Sequence, residues 1–176
     1  MAETGWVADA LVIFGITGDL ARKMTFPALY RLERRGALAC PVVGVGSTSM
    51  TTQELLDRAR RAIGQSGEPV DDAVFARLAR RLTYLTGDVT DPELYKTLEV
   101  QLAEARRPLY YLEMPPSLFA PTVDRLDAAG LVGNARVAVE KPFGHDLASA
   151  RELSNRLHQV LGGRQLLLVD HFLGKE

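Results

Sequence analysis

The chain has 176 residues, of which 47% are apolar and 24% are charged, a composition typical of globular domains and not of disordered chains. The 21 basic and 22 acidic side chains nearly cancel, so the charge gives no indication of a nucleic-acid or membrane partner. The single cysteine, Cys40, excludes a disulfide framework and a cysteine-rich metal site. The first residues lack a secretory signal pattern, and no apolar run approaches the roughly 18 residues of a membrane span. We therefore expect a cytoplasmic protein.

Short apolar runs alternate with segments of helical periodicity along the chain. The predicted strands are residues 10–14, 41–46, 82–85, 108–112, 135–139 and 165–169. The predicted helices are residues 20–34, 52–62, 73–80, 92–105, 116–128 and 147–161. Several strands are apolar at nearly every position, which is typical of strands covered by helices on both faces. Six strands alternating with helices predict an α/β fold with a doubly wound parallel sheet, and one Rossmann dinucleotide-binding domain over residues 1–176.

The ends of several predicted helices carry capping signals. Thr51 and Glu54 are spaced as a capping pair before the second helix, and Asp91 precedes a proline at the start of the fourth. Pro27 is the exception, because it lies inside the first predicted helix. We expect it to bend or break that helix near Lys23.

A glycine turn follows the first predicted strand and opens the first helix, with the sequence GITGDL from Gly15 to Leu20. At this position in a Rossmann sheet, backbone N–H groups and a helix N-terminus receive the pyrophosphate of a dinucleotide. The spacing departs from G-x-G-x-x-G because Thr17 stands where the second glycine would be. The placement favours nucleotide binding over the alternative of a plain turn.

The end of the second strand is where such a sheet reads the ribose of the cofactor. Here the chain has Ser47, Thr48 and Ser49, with neither a carboxylate nor an arginine. Without a carboxylate a 2′-phosphate is not repelled, and three hydroxyls can donate hydrogen bonds to it. This segment favours NADP over NAD only slightly, and an ordinary polar loop is the alternative.

Polar residues also follow the fifth and sixth strands, at the edge of the sheet where ligands bind. Lys141, in the run EKPFG, can act as a point charge for a phosphate or donate to a sugar hydroxyl or cofactor amide. His171 and Lys175 are plausible phosphate ligands, and Asp170 can orient a histidine supplied from elsewhere. Three scattered histidines without cysteine partners predict no metal site.

Five ordered motifs together resemble the glucose-6-phosphate dehydrogenase family. They span residues 15–27 (the glycine turn with Lys23 and Pro27), 84–91 (YLTGDVTD), 111–116 (YLEMPP), 140–147 (EKPFGHDL) and 168–176 (LVDHFLGKE). They cover nearly the whole chain. The resemblance implies a Rossmann domain that binds NADP, with NAD as the alternative cofactor.

The resemblance also implies roles for individual residues. The implied cofactor-binding residues are Gly15, Ile16, Thr17, Gly18, Asp19, Leu20, Ala21, Arg22, Ser47, Asp88, Val89 and Lys141. The implied ligands of glucose 6-phosphate are Lys141, His171 and Lys175. Asp170 is expected to pair with the family's catalytic histidine, which takes the proton of the C1 hydroxyl as hydride leaves. That histidine belongs to a carboxyl-terminal domain that we expect to lie outside these residues.

Three positions depart from the family pattern. Ser47 aligns with an arginine that the family often uses on the 2′-phosphate, Phe172 replaces a tyrosine and Leu168 replaces an arginine. The resemblance implies an enzyme that oxidises glucose 6-phosphate to 6-phosphogluconolactone with hydride transfer to NADP, as the first step of the pentose phosphate pathway, and that is a homo-oligomer at full length. We expect this chain alone to bind cofactor without catalysis. A free-standing NAD(P)-binding sensor module is the alternative.

Overall fold

A computed structural model describes residues 5–141 and 146–169. Its strands are β1 Ala10–Phe14, β2 Val42–Gly46, β3 Leu82–Thr86, β4 Pro108–Leu112, β5 Arg136–Glu140 and β6 Leu166–Val169. Its α-helices are α1 Phe26–Arg34, α2 Thr52–Gln65, α3 Asp72–Arg81, α4 Pro92–Gln101, α5 Phe119–Ala128 and α6 Leu147–Val160. A π-helical turn, Ala21–Thr25, precedes α1, and a 3-10 turn, Pro116–Leu118, precedes α5.

The six strands form one sheet in the order β3-β2-β1-β4-β5-β6, and every neighbouring pair is parallel. The chain runs outward from β1 to β3, crosses back, and then runs outward again from β4 to β6. The order therefore reverses between β1 and β4, and the carboxyl ends of these two strands border the crevice where open α/β sheets bind ligands. The predicted doubly wound parallel sheet is confirmed.

Alternate positions along the central strand enter two separate cores. Val12 and Phe14 pack with α4, α5 and α6 on one face of the sheet, whereas Ile13 packs with α1, α2 and α3 on the other. A strand buried on both faces needs apolar residues at consecutive positions, as the sequence of β1 provides. None of the described helices is both long and apolar enough to cross a membrane.

The first helix is interrupted where the sequence predicts it. Pro27 has no backbone N–H to bond with the carbonyl of Lys23, one turn earlier. The chain widens here into the π turn, in which the N–H of Phe26 donates to the carbonyl of Ala21, and α1 then starts with Pro27 in its first turn. Helix α1 therefore starts after the π turn and not directly at the glycine turn.

Several predicted helix boundaries are wrong. Helix α4 ends at Gln101 and not at residue 105, because the chain must turn to enter β4; there the Asp9 carboxylate accepts from the N–H groups of Arg106 and Arg107, at 2.9 and 2.8 Å. The segment predicted as helix 116–128 begins with a 3-10 turn, in which the N–H of Leu118 donates to the carbonyl of Pro115. The sixth strand is an edge strand, and its Leu168 is 60% exposed.

Candidate functional site

The glycine turn after β1 has a geometry that requires its first glycine. Gly15 has φ +84°, and a Cβ at this position would lie 2.1 Å from the backbone oxygen of Glu113. The N–H groups of Gly15 and Ile16 both donate to the carbonyl of Val45, at 2.9 and 3.2 Å. The N–H of Gly18 donates to the carbonyl of Gly15 at 2.8 Å. Two bonds to the end of β2 thus hold the turn against the sheet, and a third closes the turn on itself.

The predicted pyrophosphate-binding residues differ in what they expose. Ile16 and Ala21 are fully buried, so their side chains cannot contact a ligand in the cleft. Asp19 is exposed and lies 3.5 Å from the Arg22 guanidinium, which is the nearest cation on this turn. The N–H of Arg22 donates to the carbonyl of Gly18, which closes the first helical turn. Gly18, Asp19 and Leu20 thus form a helix N-terminus that faces the crevice.

A cleft of about 460 Å³ lies beside the glycine turn, at the ends of β1, β2 and β3. Six of the predicted cofactor-binding residues line it together: Gly15, Thr17, Gly18, Ser47, Asp88 and Val89. The Asp88 carboxylate accepts from both the N–H and the hydroxyl of Thr90, at 2.8 Å each, and these bonds lower the pKa of Asp88. Asp88 therefore shapes the turn after β3 in addition to lining the cleft.

A second cleft of about 320 Å³ adjoins the first on the side of β4 and β5. Its lining includes three further predicted residues, Asp19, Leu20 and Lys141, and it shares Gly18 and Glu113 with the first cleft. The sheet therefore places Ser47 and Lys141 on opposite sides of the glycine turn. The predicted residues Asp170, His171 and Lys175 lie outside the described residues, as do Pro142, Phe143, Gly144 and His145.

Glu113 is a buried carboxyl group at the junction of the two clefts. Its residue is 8% exposed, Oε1 accepts from the Thr25 hydroxyl, and Oε2 is buried without a hydrogen-bond partner among the described residues. Burial raises the pKa of Glu113 to about 7; the Thr25 bond opposes this rise, and the nearby Glu140 adds to it. Leu112 pairs with Val139, so Glu113 and Glu140 occupy adjacent positions at the ends of β4 and β5. Tyr111 donates to the Glu140 carboxylate.

The ribose side of the first cleft is closely packed around Gly46. A Cβ at Gly46 would lie 2.8 Å from the Tyr84 hydroxyl and 2.9 Å from the Thr17 side chain. The Tyr84 hydroxyl donates to the carbonyl of Thr48 at 2.6 Å, and burial raises its pKa. From α2, Arg58 donates to the carbonyl of Thr17 at 2.9 Å. Residues from four different segments therefore meet at the end of β2.

The family model described as "Glucose-6-phosphate dehydrogenase, NAD binding domain" matches residues 12–176. The chain belongs to the glucose-6-phosphate dehydrogenase family. A curated relative, glucose-6-phosphate 1-dehydrogenase 1 of Mycobacterium tuberculosis, is 63% identical over 172 residues, which are 98% of this chain and 37% of the relative. The enzyme of Dickeya dadantii is 38% identical over 94% of this chain and 35% of the relative.

Two solved structures share the fold of this chain. That of a glucose-6-phosphate 1-dehydrogenase from Mycobacterium avium has a TM-score of 0.93 and 65% identity, over 95% of this chain and 36% of that one. A glucose-6-phosphate dehydrogenase in complex with glucose 6-phosphate has a TM-score of 0.84 and 34% identity, over 95% of this chain and 37% of that one. The chain thus spans about 37% of the length of these relatives. The predicted family is confirmed, and the matching model is described as the NAD binding domain of that family.

The sequence assigned no role to Glu113, which lines both clefts, or to Arg58, which bonds the cleft residue Thr17. Glu113 carried a signal, since an acid interrupts the apolar run that ends β4. Arg58 carried none, since it stands near two other arginines, Arg60 and Arg61, in the same helix. Only the fold shows that Arg58, and not its neighbours, reaches the glycine turn.

Proposed function

We propose that this chain is the cofactor-binding domain of a cytoplasmic glucose-6-phosphate dehydrogenase, and that it holds NADP across the two clefts. The observation that carries the proposal is the glycine turn at the switch point between β1 and β4. At Gly15 a left-handed backbone and a space too small for a Cβ coincide. Such a turn lets a pyrophosphate approach backbone N–H groups at the start of a helix. NADP, when bound, supplies the nicotinamide carbon that accepts the hydride.

The residues of the two clefts have distinct parts in this proposal. The N–H groups of Gly15, Ile16 and Gly18 hold the turn in shape, and the pyrophosphate binds to the N–H of Thr17 and to the helix N-terminus formed by Asp19, Leu20, Ala21 and Arg22. Ser47 contacts the ribose that carries the 2′-phosphate, and Asp88 and Val89 border the adenosine. Lys141, on the other side of the turn, lies where cofactor and substrate meet.

The substrate side of the proposal concerns glucose 6-phosphate. A relative with this fold has been solved in complex with that substrate, which supports the proposal by similarity. Lys141, His171 and Lys175 would bind the sugar phosphate as cations, and Asp170 would orient the histidine base. The full-length enzyme is proposed to be a homo-oligomer that performs the first step of the pentose phosphate pathway.

Replacing Gly15 with alanine tests the proposed cofactor site. We expect Gly15→Ala to weaken NADP and NAD alike, by at least about tenfold, because the pyrophosphate common to both loses its cradle. The measurement is calorimetric titration of each cofactor into the chain. Gly36→Ala is the matched control, since Gly36 also has a positive φ, +67°, but no atom lies within 4 Å of its added Cβ.

The control should keep its affinity for both cofactors, although it carries the same backbone strain. If the wild-type chain binds neither cofactor, or if Gly15→Ala binds both as well as Gly36→Ala does, the proposed site is wrong. Circular dichroism and thermal unfolding of each variant would show that the comparison concerns folded protein.

A further inference from the structure

A cation that does not come from β2 is bonded to one of the residues that line the first cleft. Ser47, Thr48 and Ser49 follow that strand and carry no charge. Two turns into α2, however, Arg58 extends toward the glycine turn, and its Nη2 donates to the carbonyl of Thr17 at 2.9 Å. Because Thr17 itself lines the cleft, the guanidinium is one hydrogen bond away from the cleft lining.

The contacts of Thr17 fix the position of this guanidinium relative to the end of β2, where we propose that the ribose binds. The Thr17 side chain and the Tyr84 hydroxyl both lie within 2.9 Å of the Cβ that Gly46 would have. Tyr84 in turn bonds the carbonyl of Thr48, and its pKa is lowered by the charge of Arg58, against the larger rise from burial. Arg58 therefore faces the end of β2, where the 2′ position of the ribose is read.

The charge of Arg58 is not neutralised by a carboxylate. Among the residues that the structure describes, none of the ion pairs includes Arg58. The two nearest acids on its own helix are engaged elsewhere: Glu54 holds the backbone N–H of Thr51 at 2.7 Å, and Asp57 accepts from the Gln53 amide at 2.9 Å. The side chain is partly exposed, so a ligand can reach it.

We propose that Arg58 is the residue that selects NADP over NAD by binding the 2′-phosphate from α2, in place of the arginine absent at Ser47. The inference rests on the proposed function. A guanidinium offers five N–H donors in a planar fork that matches phosphate oxygens, and one bond to Thr17 leaves the others for a ligand. That bond also orients the fork before the cofactor arrives. The hydroxyls of residues 47–49 add neutral hydrogen bonds around the same phosphate.

The test compares two cofactors that differ only in the 2′-phosphate. NADP and NAD, and in parallel 2′,5′-ADP and 5′-AMP, are titrated into the wild-type chain and into Arg58→Gln. We expect Arg58→Gln to lose on the order of tenfold to hundredfold in affinity for NADP and 2′,5′-ADP. Affinity for NAD and 5′-AMP should stay within about twofold. Arg61→Gln, an exposed arginine of the same helix, removes the same charge and should change none of the four affinities.

Three other results of these titrations would contradict either this proposal or the proposed function. An equal loss for NADP and NAD would show that Arg58 only supports the Thr17 carbonyl, and no loss would show that the phosphate is read elsewhere; either result overturns the proposal. If wild-type chain binds none of the ligands, the proposed function itself fails. The ratio of two affinities is unaffected by a misfolded fraction of the sample, and Arg58→Lys, which keeps the charge, should retain part of the NADP preference if Arg58→Gln fails to fold.

Discussion

Glu113 is an ionisable side chain at a position that the fold otherwise reserves for apolar groups. Its carboxyl lies beneath the junction of the two clefts, with one oxygen bonded to Thr25 and the other without a partner among the described residues. Desolvation by burial is the largest cause of its raised pKa, about 7 against an ordinary value of 4.5. The folded state therefore binds a proton that the unfolded state releases at lower pH.

This difference predicts a pH dependence of stability with a definite sign. Between about pH 4.5 and about pH 7 the folded state holds more protons than the unfolded state, so the free energy of unfolding falls as the pH rises through this window and then levels off. Glu113→Gln should lose this slope, and it should be more stable than wild type at pH 8. Urea unfolding at pH 5 and pH 8 measures both quantities.

The control for Glu113→Gln is Glu99→Gln, which changes an exposed carboxyl on α4. It should keep the wild-type slope, because it removes an exposed carboxyl and leaves Glu113 and its surroundings unchanged. A Glu113→Gln variant whose stability falls between pH 5 and pH 8 as steeply as that of wild type would contradict the assignment of the raised pKa.

A substitution at Ser47 can add a second positive charge at the end of β2, where we propose that the ribose binds. Ser47→Arg should strengthen NADP binding by about tenfold while leaving NAD nearly unchanged, because a charge-assisted hydrogen bond contributes about twice as much as a neutral one. Calorimetric titration of both cofactors measures the change. Gln65→Arg, at the exposed far end of α2, is the control for net charge and should alter neither affinity. An equal gain for NAD and NADP would show that residue 47 does not face the 2′ position.

At the scale of elements, local chemistry explains why the sequence predicts most of the fold. The apolar runs of the strands and the caps Thr51 and Asp91 act within a few residues, and the structure has both caps at the predicted helix starts. Pro27 likewise predicts an irregular helix. The sequence does not show that this irregularity is a π turn closed by the N–H of Phe26, a residue buried in the core.

The candidate site was only partly predictable for the same reason. The glycine turn follows directly from strand β1, so its place in the sheet can be inferred from chain order. Arg58 lies 41 positions from its partner Thr17, and Thr25 lies 88 positions from Glu113. Contacts of this kind depend on strand order and register, and a single sequence shows them only after the sheet is known.

The capping box at the N-terminus of α2 involves only two neighbouring residues, so its contribution to the free energy of unfolding can be measured separately. The Thr51 hydroxyl accepts from the N–H of Glu54 at 3.2 Å while the Glu54 carboxylate accepts from the N–H of Thr51. Thr51→Ala should therefore lower the free energy of unfolding by about 1 kcal/mol. Urea unfolding measures the change.

Thr97→Ala is the matched control for the loss of this cap, because Thr97 lies inside α4 and bonds its hydroxyl back to the carbonyl of Glu93. Alanine is the better helix former at such an interior position, so this variant should be as stable as wild type or slightly more stable. Equal destabilisation by the two substitutions would show that the α2 cap adds nothing beyond an ordinary threonine contact.

At the scale of the whole molecule, the described residues form the two clefts proposed for the cofactor and leave part of one sheet face uncovered. A groove of about 640 Å³ runs between α1 and the strands β1, β4, β5 and β6, and its lining is mostly apolar, with Leu32, Leu109 and Tyr111 among its residues. Strands of a parallel sheet are normally covered on both faces, whereas here Tyr111 of β4 and Val169 of β6, which line the groove, are only partly buried. The two clefts for the dinucleotide do not depend on this groove, since both open at the carboxyl ends of the strands.

A protein limited to these 176 residues should therefore bind the cofactor without catalysing the reaction. The resemblance assigns the base for the C1 hydroxyl to a histidine outside them, and general base catalysis contributes on the order of 10²–10⁴-fold, with positioning contributing more. We expect NADP to bind while glucose 6-phosphate oxidation, followed as NADPH absorbance, stays at the level of the blank. The chain should be purified from a host that lacks its own glucose-6-phosphate dehydrogenase, and a full-length relative in the same assay serves as the positive control. Turnover that rises in proportion to the amount of chain would show that a base within these residues, such as the raised-pKa carboxyl of Glu113, can replace the histidine.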